Sequence, residues 1–259
     1  MAKITYTIPD LTNGVTYYGK VFSVNPKKRV NNRADLTVFA AIPSDLPAEP
    51  SEYLLIGTYT SAQTWIAPED GWFMVEAFGA SGNGGNAYYY SEDDGEDTYY
   101  YTSAGGGGGG GGYAASAVKL KKGDTIVITS LAVGSVATIY FNSSIETYSN
   151  ILVTSGGNGR NGAMSSGGAG GSGGSASGGN ISNVNGNSGG RGTYNSAETS
   201  PSYVFNTTTP GSGGTSGYLG GRTGGKGGYN SGTFGDTTKP TNGSAGYTRI
   251  SRGNTNVIE

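Results

Sequence analysis

The chain is 259 residues long with 50 glycines and only 13% charged residues, so much of it lacks the side chains that build an ordinary core. Cysteine and histidine are both absent, which excludes a disulfide framework, thiolate or imidazole zinc sites, and every Cys or His nucleophile–base pair. The net charge of −2, with no long run of one sign, supplies no field for nucleic acid or anionic lipid, and no apolar stretch is long enough to insert in a membrane.

Residues 1–50 read as a small β attachment segment. Ile4 to Ile8 alternates, Leu11-Thr-Asn-Gly-Val15 turns, Val15 to Asn25 alternates again, and Leu36 to Ile42 supplies a further strand. A basic turn at 26–33 joins the last two, and Pro43, Pro47 and Pro50 mark a stiff linker. Met1 leads directly into strand-like sequence without an apolar signal region, so a route out of the cell other than a signal peptide is expected, such as lysis during release of virus particles. Leu11 to Asn25 resembles the E–F corner and F strand of a fibronectin type III domain. In that family a Leu-x-x-Gly-x-x-Tyr segment places a phenol, here that of Tyr17, against upstream backbone. Only the last strands of such a sandwich are represented, which implies either a docking arm or strand addition from another chain. Any three short strands would also read this way.

The next region is ordinary β sequence. Tyr53 to Gly57, Thr64 to Pro68, Trp72 to Phe78, Tyr113 to Leu120, Thr125 to Leu131, Val136 to Phe141, Ile151 to Val153 and Gly246 to Ser251 are rich in β-branched and aromatic residues and bounded by turn signals. These eight segments lie at sandwich-like spacing.

Between them lies the glycine. Gly105 to Gly112 is an unbroken run, and from Gly167 the chain reads Gly-Gly-Ala-Gly-Gly-Ser-Gly-Gly-Ser, with related pieces at 156–158, 178–180, 189–191 and 224–229. A Gly/Ser-rich segment is by default a flexible coil. A three-residue repeat is also the period of the polyproline II conformation, which has no internal hydrogen bonds and must bond laterally; glycine alone lets such chains approach closely on several sides. Short glycine runs separated by turns, with Tyr194, Tyr203, Phe205, Tyr218, Tyr229 and Phe234 among them, suit a back-and-forth bundle better than a spacer.

The most distinctive insert is Tyr88-Tyr89-Tyr90-Ser-Glu-Asp-Asp-Gly-Glu-Asp-Thr-Tyr99-Tyr100-Tyr101. A hairpin with Asp94-Gly95 at its tip is expected to pair the two tyrosine triplets across its strands and to project them as a recognition surface, tyrosine offering contact area at low entropic cost. Further candidate loops carry Tyr148, Tyr194, Tyr203, Phe205, Tyr229 and Phe234, beside Asn and Ser that suit a sugar or a protein surface. Each aromatic could equally cap the bundle as a small core, and the carboxylates could simply solvate the hairpin. Asp93, Asp94, Glu96 and Asp97 offer oxygens to calcium, but their spacing is not that of an EF-hand loop. Glu96 and Asp97 as a glycosidase pair lack an apolar pocket to raise one of them, so no catalytic residue, cofactor or metal is assigned.

The order Glu76-Ala-Phe-Gly-Ala80, glycine insert, Gly-Gly-Tyr113-Ala, Val118-Lys-Leu-Lys-Lys-Gly-Asp124-Thr-Ile-Val-Ile, then Ser244-Ala-Gly-Tyr247-Thr-Arg-Ile250 resembles the glycine-rich domain of many bacteriophage tail proteins. A related plan, similar to a tumour-necrosis-factor-like jelly roll with polyglycine helices inserted, occurs in the extracellular glycine-rich domain of some animal receptor tyrosine kinases. The fibronectin-like start is similar to segments of phage tail and baseplate proteins. These resemblances imply an all-β fold, a jelly-roll-like β-sandwich with an inserted bundle of polyglycine II helices over 51–252, after the attachment segment and before a tail at 253–259. They imply a virion protein, without enzyme activity, that displays loops to a bacterial surface glycan or protein and contacts other tail or baseplate proteins through residues 1–50. A homotrimer follows from the habits of tail fibres, and a purely structural tail or baseplate component is the alternative.

Overall fold

The computed structural model describes residues 17–20, 38–41, 52–199, 208–216, 223–230 and 237–253. The chain divides into two units, Met1–Ala48 and Glu49–Glu259. In the first, β1 (Tyr17–Lys20) pairs antiparallel with β2 (Val38–Ala41), Tyr17 opposite Ala41 and Lys20 opposite Val38. The strand expected over Ile4–Ile8 lies outside the described residues, as does the upstream backbone that the Tyr17 phenol is expected to reach.

In the second unit the first strands are β3 (Tyr53–Tyr59), β4 (Gln63–Ile66), β5 (Gly71–Phe78), β6 (Tyr88–Asp93) and β7 (Thr98–Ser103). They are followed by β8 (Tyr113–Leu120), β9 (Thr125–Ile128), β10 (Val136–Asn142) and β11 (Ile151–Thr154). Later come β12 (Ala176–Ser177), β13 (Ser182–Val184), β14 (Tyr194–Thr199), β15 (Tyr229–Asn230), β16 (Thr237–Thr238) and β17 (Tyr247–Gly253). The fold is all-β, with no helix among the described residues.

Two five-stranded antiparallel sheets, ordered β12-β11-β10-β9-β4 and β13-β8-β5-β17-β3, form a sandwich. Period-two alternation sends one side of each strand inward. In β5, Phe73, Val75 and Ala77 are buried while Trp72, Met74 and Glu76 between them are only partly covered. These residues meet Val118 and Leu120 of β8, Ile126 and Ile128 of β9, Ile139 of β10, Ile151 and Val153 of β11 and Ile250 of β17 in one apolar core. Trp65 closes it edge-on to Phe73, at 5.1 Å between ring centroids. β12 and β13, which sequence reasoning does not anticipate, extend the sheets from inside a stretch of Gly, Ser and Asn.

The glycine segments form a different kind of solid. Gly105 to Gly112 runs through the middle of a bundle and is surrounded by six described segments, 79–86, 154–162, 167–175, 185–193, 208–216 and 223–228. Its N–H groups donate in rotation, with a period of three: Gly105 and Gly108 to Gly228 and Gly225, Gly106 and Gly109 to Arg160 and Gly157, Gly107 and Gly110 to Gly190 and Asn187. Its carbonyls accept in the same rhythm from the other three, as in Gly82 N to Gly109 O, Gly171 N to Gly107 O and Gly211 N to Gly105 O, all 2.8–3.0 Å. The six also bond one to the next around a closed ring, so the buried backbone is satisfied without any ladder of paired strands.

The glycine run follows from this geometry. A Cβ on Gly106 would lie 2.0 Å from Ala169 O, on Gly107 2.0 Å from Ser212 O, and on Gly108 2.0 Å from Gly82 O. No side chain fits on any side of the central segment. Ring segments instead keep two residues of three against their neighbours and turn the third outward, where Ala169, Ser172 and Ser175 are exposed. Side chains at such outer positions take up backbone N–H groups: Asn158 Oδ1 accepts from Asn83 N at 2.8 Å, Asn161 Oδ1 from Asn86 N at 2.8 Å, and Thr241 Oγ1 from Lys226 N at 2.7 Å. Where chain leaves sheet for bundle, Phe78 stacks on Tyr247 at 4.2 Å and packs against Tyr113, whose hydroxyl donates to Glu76 Oε1 at 2.9 Å.

Candidate functional site: the loop end of the bundle

The bonding pattern fixes the direction of every segment. Segments 79–86, 154–162, 185–193 and 223–228 run antiparallel to the central one, and 167–175 and 208–216 run parallel to it. At one end the segments continue into β5, β8, β11, β12, β13 and β17, which are the sandwich. At the other end lie the described stretches 86–104, 162–167, 193–199, 228–230 and 237–241. Among the described residues these carry every aromatic recognition candidate except Tyr148.

The first connection is the expected hairpin. β6 pairs with β7, but in a register that sets Tyr90 opposite Tyr101, Glu92 opposite Tyr99 and Tyr88 opposite Ser103. The expected triplet-on-triplet pairing is therefore corrected: the triplets are offset by two residues and share only the Tyr90–Tyr101 pair, with ring centroids 6.1 Å apart. The cause is the turn. Four residues, not two, make the tip: Asp94 N donates to Asp97 O at 3.1 Å, and Asp94 Oδ1 accepts from Glu96 N at 3.1 Å and Asp97 N at 2.8 Å. Asp93 Oδ1 accepts from Gly95 N at 2.9 Å, and Gly95 takes φ of 90°, a left-handed conformation that favours glycine.

A third strand, β14, pairs with β7 on its other side, Tyr194 opposite Ser103 and Asn195 opposite Thr102, with a bulge between Asn195 and Glu198. Directly opposed residues share a face, and alternate residues along a strand share it too. Tyr88, Tyr90, Tyr99, Tyr101 and Tyr194 thus lie on one face of a three-stranded sheet, while Tyr89 and Tyr100 lie on the other. At its base the sheet is anchored: Thr102 and Ser103 are buried, Ser103 Oγ donates to Ala163 O at 3.0 Å, and Ala104 N donates to Thr193 O at 2.9 Å. β15, with Tyr229, lies beside β6 and β7 and pairs with β16. Asn230 N donates to Thr208 Oγ1 at 2.9 Å beneath it, both residues fully buried. Tyr203, Phe205 and Phe234 lie outside the described residues.

The carboxylates of the tip stand in open solvent. The Asp97 and then the Glu96 N–H groups hold the Asp94 carboxyl below its usual value, and the Asp94 charge in turn raises the Tyr99 phenol. Asp93 and Asp94 spend oxygens on the turn itself, and among the described residues no group of three or more acidic side chains is placed to hold a metal ion. Glu92 is a residue that sequence reasoning about aromatics passes over. It shares the face of Tyr90 and Tyr99, and the signal was present as the two-residue step from Tyr90 to Glu92.

Tyr148 belongs elsewhere. It sits in the loop between β10 and β11, its ring edge-on to Phe141 at 6.1 Å, its Oη accepting from Lys119 N at 2.8 Å while donating to Glu146 Oε2 at 2.8 Å. It borders a cleft of about 360 Å³ together with Ser116 and Asn180. The Asn180 carboxamide is engaged with Ala117 N at 2.9 Å and Ala117 O at 2.8 Å, so these polar groups hold the loops onto β8.

No protein-family model matches the chain, and neither a curated protein nor a solved structure matches it.

Proposed function

We propose that the chain is a bacteriophage tail-tip receptor-binding protein, which displays tyrosine-bearing loops to a host-cell surface and is held to other tail or baseplate proteins through residues 1–50. The glycine segments act in this reading as polyglycine II helices, a stiff mount whose rigidity comes from lateral backbone bonds. The observation that supports it is topological: the described connections at the end away from the sandwich carry six hairpin tyrosines, Tyr194 and Tyr229, whereas at the other end the described segments continue into the sandwich strands. A stiff mount with aromatic residues gathered in the loops at one end is suited to presentation, and Tyr89 and Tyr90 there remain 46% and 39% exposed. The function requires no catalysis.

The test is decoration of bacteria. Fluorescent full-length protein is applied to a panel of bacterial isolates, alongside a variant in which 88–101 is replaced by a Gly/Ser linker of equal length. Intact protein is expected to coat a subset of isolates, and the replaced variant to lose at least about 90% of that signal, as removal of a central hot spot does. Equal coating by the two proteins would instead support a structural tail component.

A further inference from the structure

The chemistry of the hairpin narrows what it binds. From Asn83 to Ser103 the chain has no Leu, Ile, Val, Met, Phe or Trp, so aliphatic anchors of the kind that centre protein–protein interfaces are missing. The sheet offers aromatic faces and hydroxyls. Over the same stretch there are five carboxylates, Glu92, Asp93, Asp94, Glu96 and Asp97, and between Gly82 and Val118 no lysine or arginine. The cations of this end, Arg160, Arg191, Lys226 and Lys239, belong to the bundle and its outer connections and not to the hairpin.

We propose, building on the display reading above, that the tyrosine face of this sheet seats a cationic, amine-bearing glycan. The face running from Tyr88 to Glu92 is roughly 14 Å long at the usual rise per strand residue, a length suited to a short oligosaccharide. Sugar rings stack their C–H faces on Tyr88, Tyr90, Tyr101 and Tyr194. Their ammonium groups meet the Glu92 carboxylate on the same face and the ring faces of Tyr90 and Tyr99 beside it. The tip supplies the field: Glu96 and Asp97 are fully solvated, and Asp94 is kept ionised by the turn N–H groups, so acidic polymers are repelled and amines drawn in. A neutral sugar would leave Glu92 without a counter-charge, and a basic peptide would make no use of a face without aliphatic anchors.

The experiment measures binding of the full chain to three probes by biolayer interferometry: a β-1,4-linked glucosamine hexamer, its fully N-acetylated counterpart, and a poly-lysine of equal charge. The glucosamine hexamer is expected to bind at least about tenfold more tightly than either, and to weaken about tenfold as salt rises from about 0.05 M to about 0.5 M. Tyr90→Ala with Tyr101→Ala should weaken it about tenfold or more and Glu92→Gln by about threefold or more, both variants melting with the parent. N-acetylated hexamer binding as tightly overturns the cationic requirement, poly-lysine binding as tightly makes the partner a basic protein, and no binding to the glucosamine hexamer overturns the proposal outright. If the chain still coats bacteria through 88–101 in that last case, the ligand class alone has failed; if it coats none, the display reading fails with it.

Discussion

The sandwich and the bundle are made by one chain and hold together in opposite ways. In the sandwich, side chains such as Phe73, Ile139 and Ile250 leave water, and the backbone bonds within flat ladders that keep the two sheets apart. In the bundle the side chains are expelled or dispensed with, and seven backbone segments approach until their own amides form the interior. The sandwich is tolerant of exchanges that keep volume and hydrophobicity. The bundle has no such latitude, because what fills its centre is carbonyl oxygen held about 2 Å from where any Cβ would sit. A glycine-rich composition, ordinarily a mark of flexibility, here accompanies the region with the least free space.

The sharpest way to break this contrast is a single methyl group. Gly108→Ala puts a Cβ 2.0 Å from Gly82 O in a segment whose neighbours on all sides are backbone, so the ring must open. A loss above about 4 kcal/mol is expected, beyond the range of ordinary substitutions. Ala169→Ser, which adds an atom at an exposed outer position of the same bundle, should stay within about 0.5 kcal/mol. Thermal melting of the two variants decides it. Similar melting temperatures would mean that the central segment is not packed as described.

In the sandwich the corresponding experiment is Ile139, fully buried on β10. Ile139→Val should cost about 0.5–1.5 kcal/mol and Ile139→Ala about 2–5 kcal/mol in chemical denaturation, a graded response to volume that the bundle does not share. An all-or-none loss at Val would show that the sandwich core is as intolerant as the glycine core.

How much of this could be read beforehand follows the same division. Strands such as Gly71–Phe78 and Val136–Asn142 declare themselves through alternation, since each buries one face against a partner sheet. β12 and β13 are short edge strands placed by pairing with β11 and β8, not by the intrinsic preference of Ser and Asn, and carry no such signal. The three-residue glycine period favoured laterally bonded segments over a flexible coil, but did not show which neighbour each meets. That depends on the lengths of loops between them, and only the assembled ring sends 86–104 and 193–199 to the same end. It also could not show that Tyr148 is held by Lys119 N at the sandwich while Tyr194 joins the hairpin sheet. The offset of the tyrosine triplets was lost for a smaller reason: Asp94-Gly95 is a strong two-residue turn signal, and the Asp94 carboxylate, by capping both Glu96 N and Asp97 N, makes it a four-residue one.

The smallest effect separates two turns that use the same device in the two regions. In the sandwich, burial opposes ionisation of Asp124, but the Lys121 N–H, the Ser144 N–H and hydroxyl and the Lys121 charge together outweigh it and hold its carboxyl low. At the loop end of the bundle, Asp94 is held low chiefly by the Asp97 and Glu96 N–H groups. Both carboxyls have folded-state values below the 3.8 of the free group, so each steadies its turn fully above pH 3.8 and ceases to do so as pH falls through its lowered value. Acid should therefore loosen both turns, but unequally in consequence, because Asp124 also ties the β8–β9 turn to Ser144 at 3.0 Å whereas Asp94 restrains only an exposed tip. Amide exchange read by NMR along an acid titration is the measurement. Protection at Asp97 N should fall below pH 3.8, and Asp94→Asn should flatten that response while leaving Ser144 N, which follows Asp124, titrating as before. A titration at Asp97 N that survives Asp94→Asn would assign the turn's acid response to another carboxylate, and the four-residue tip could then no longer be attributed to the Asp94 cap.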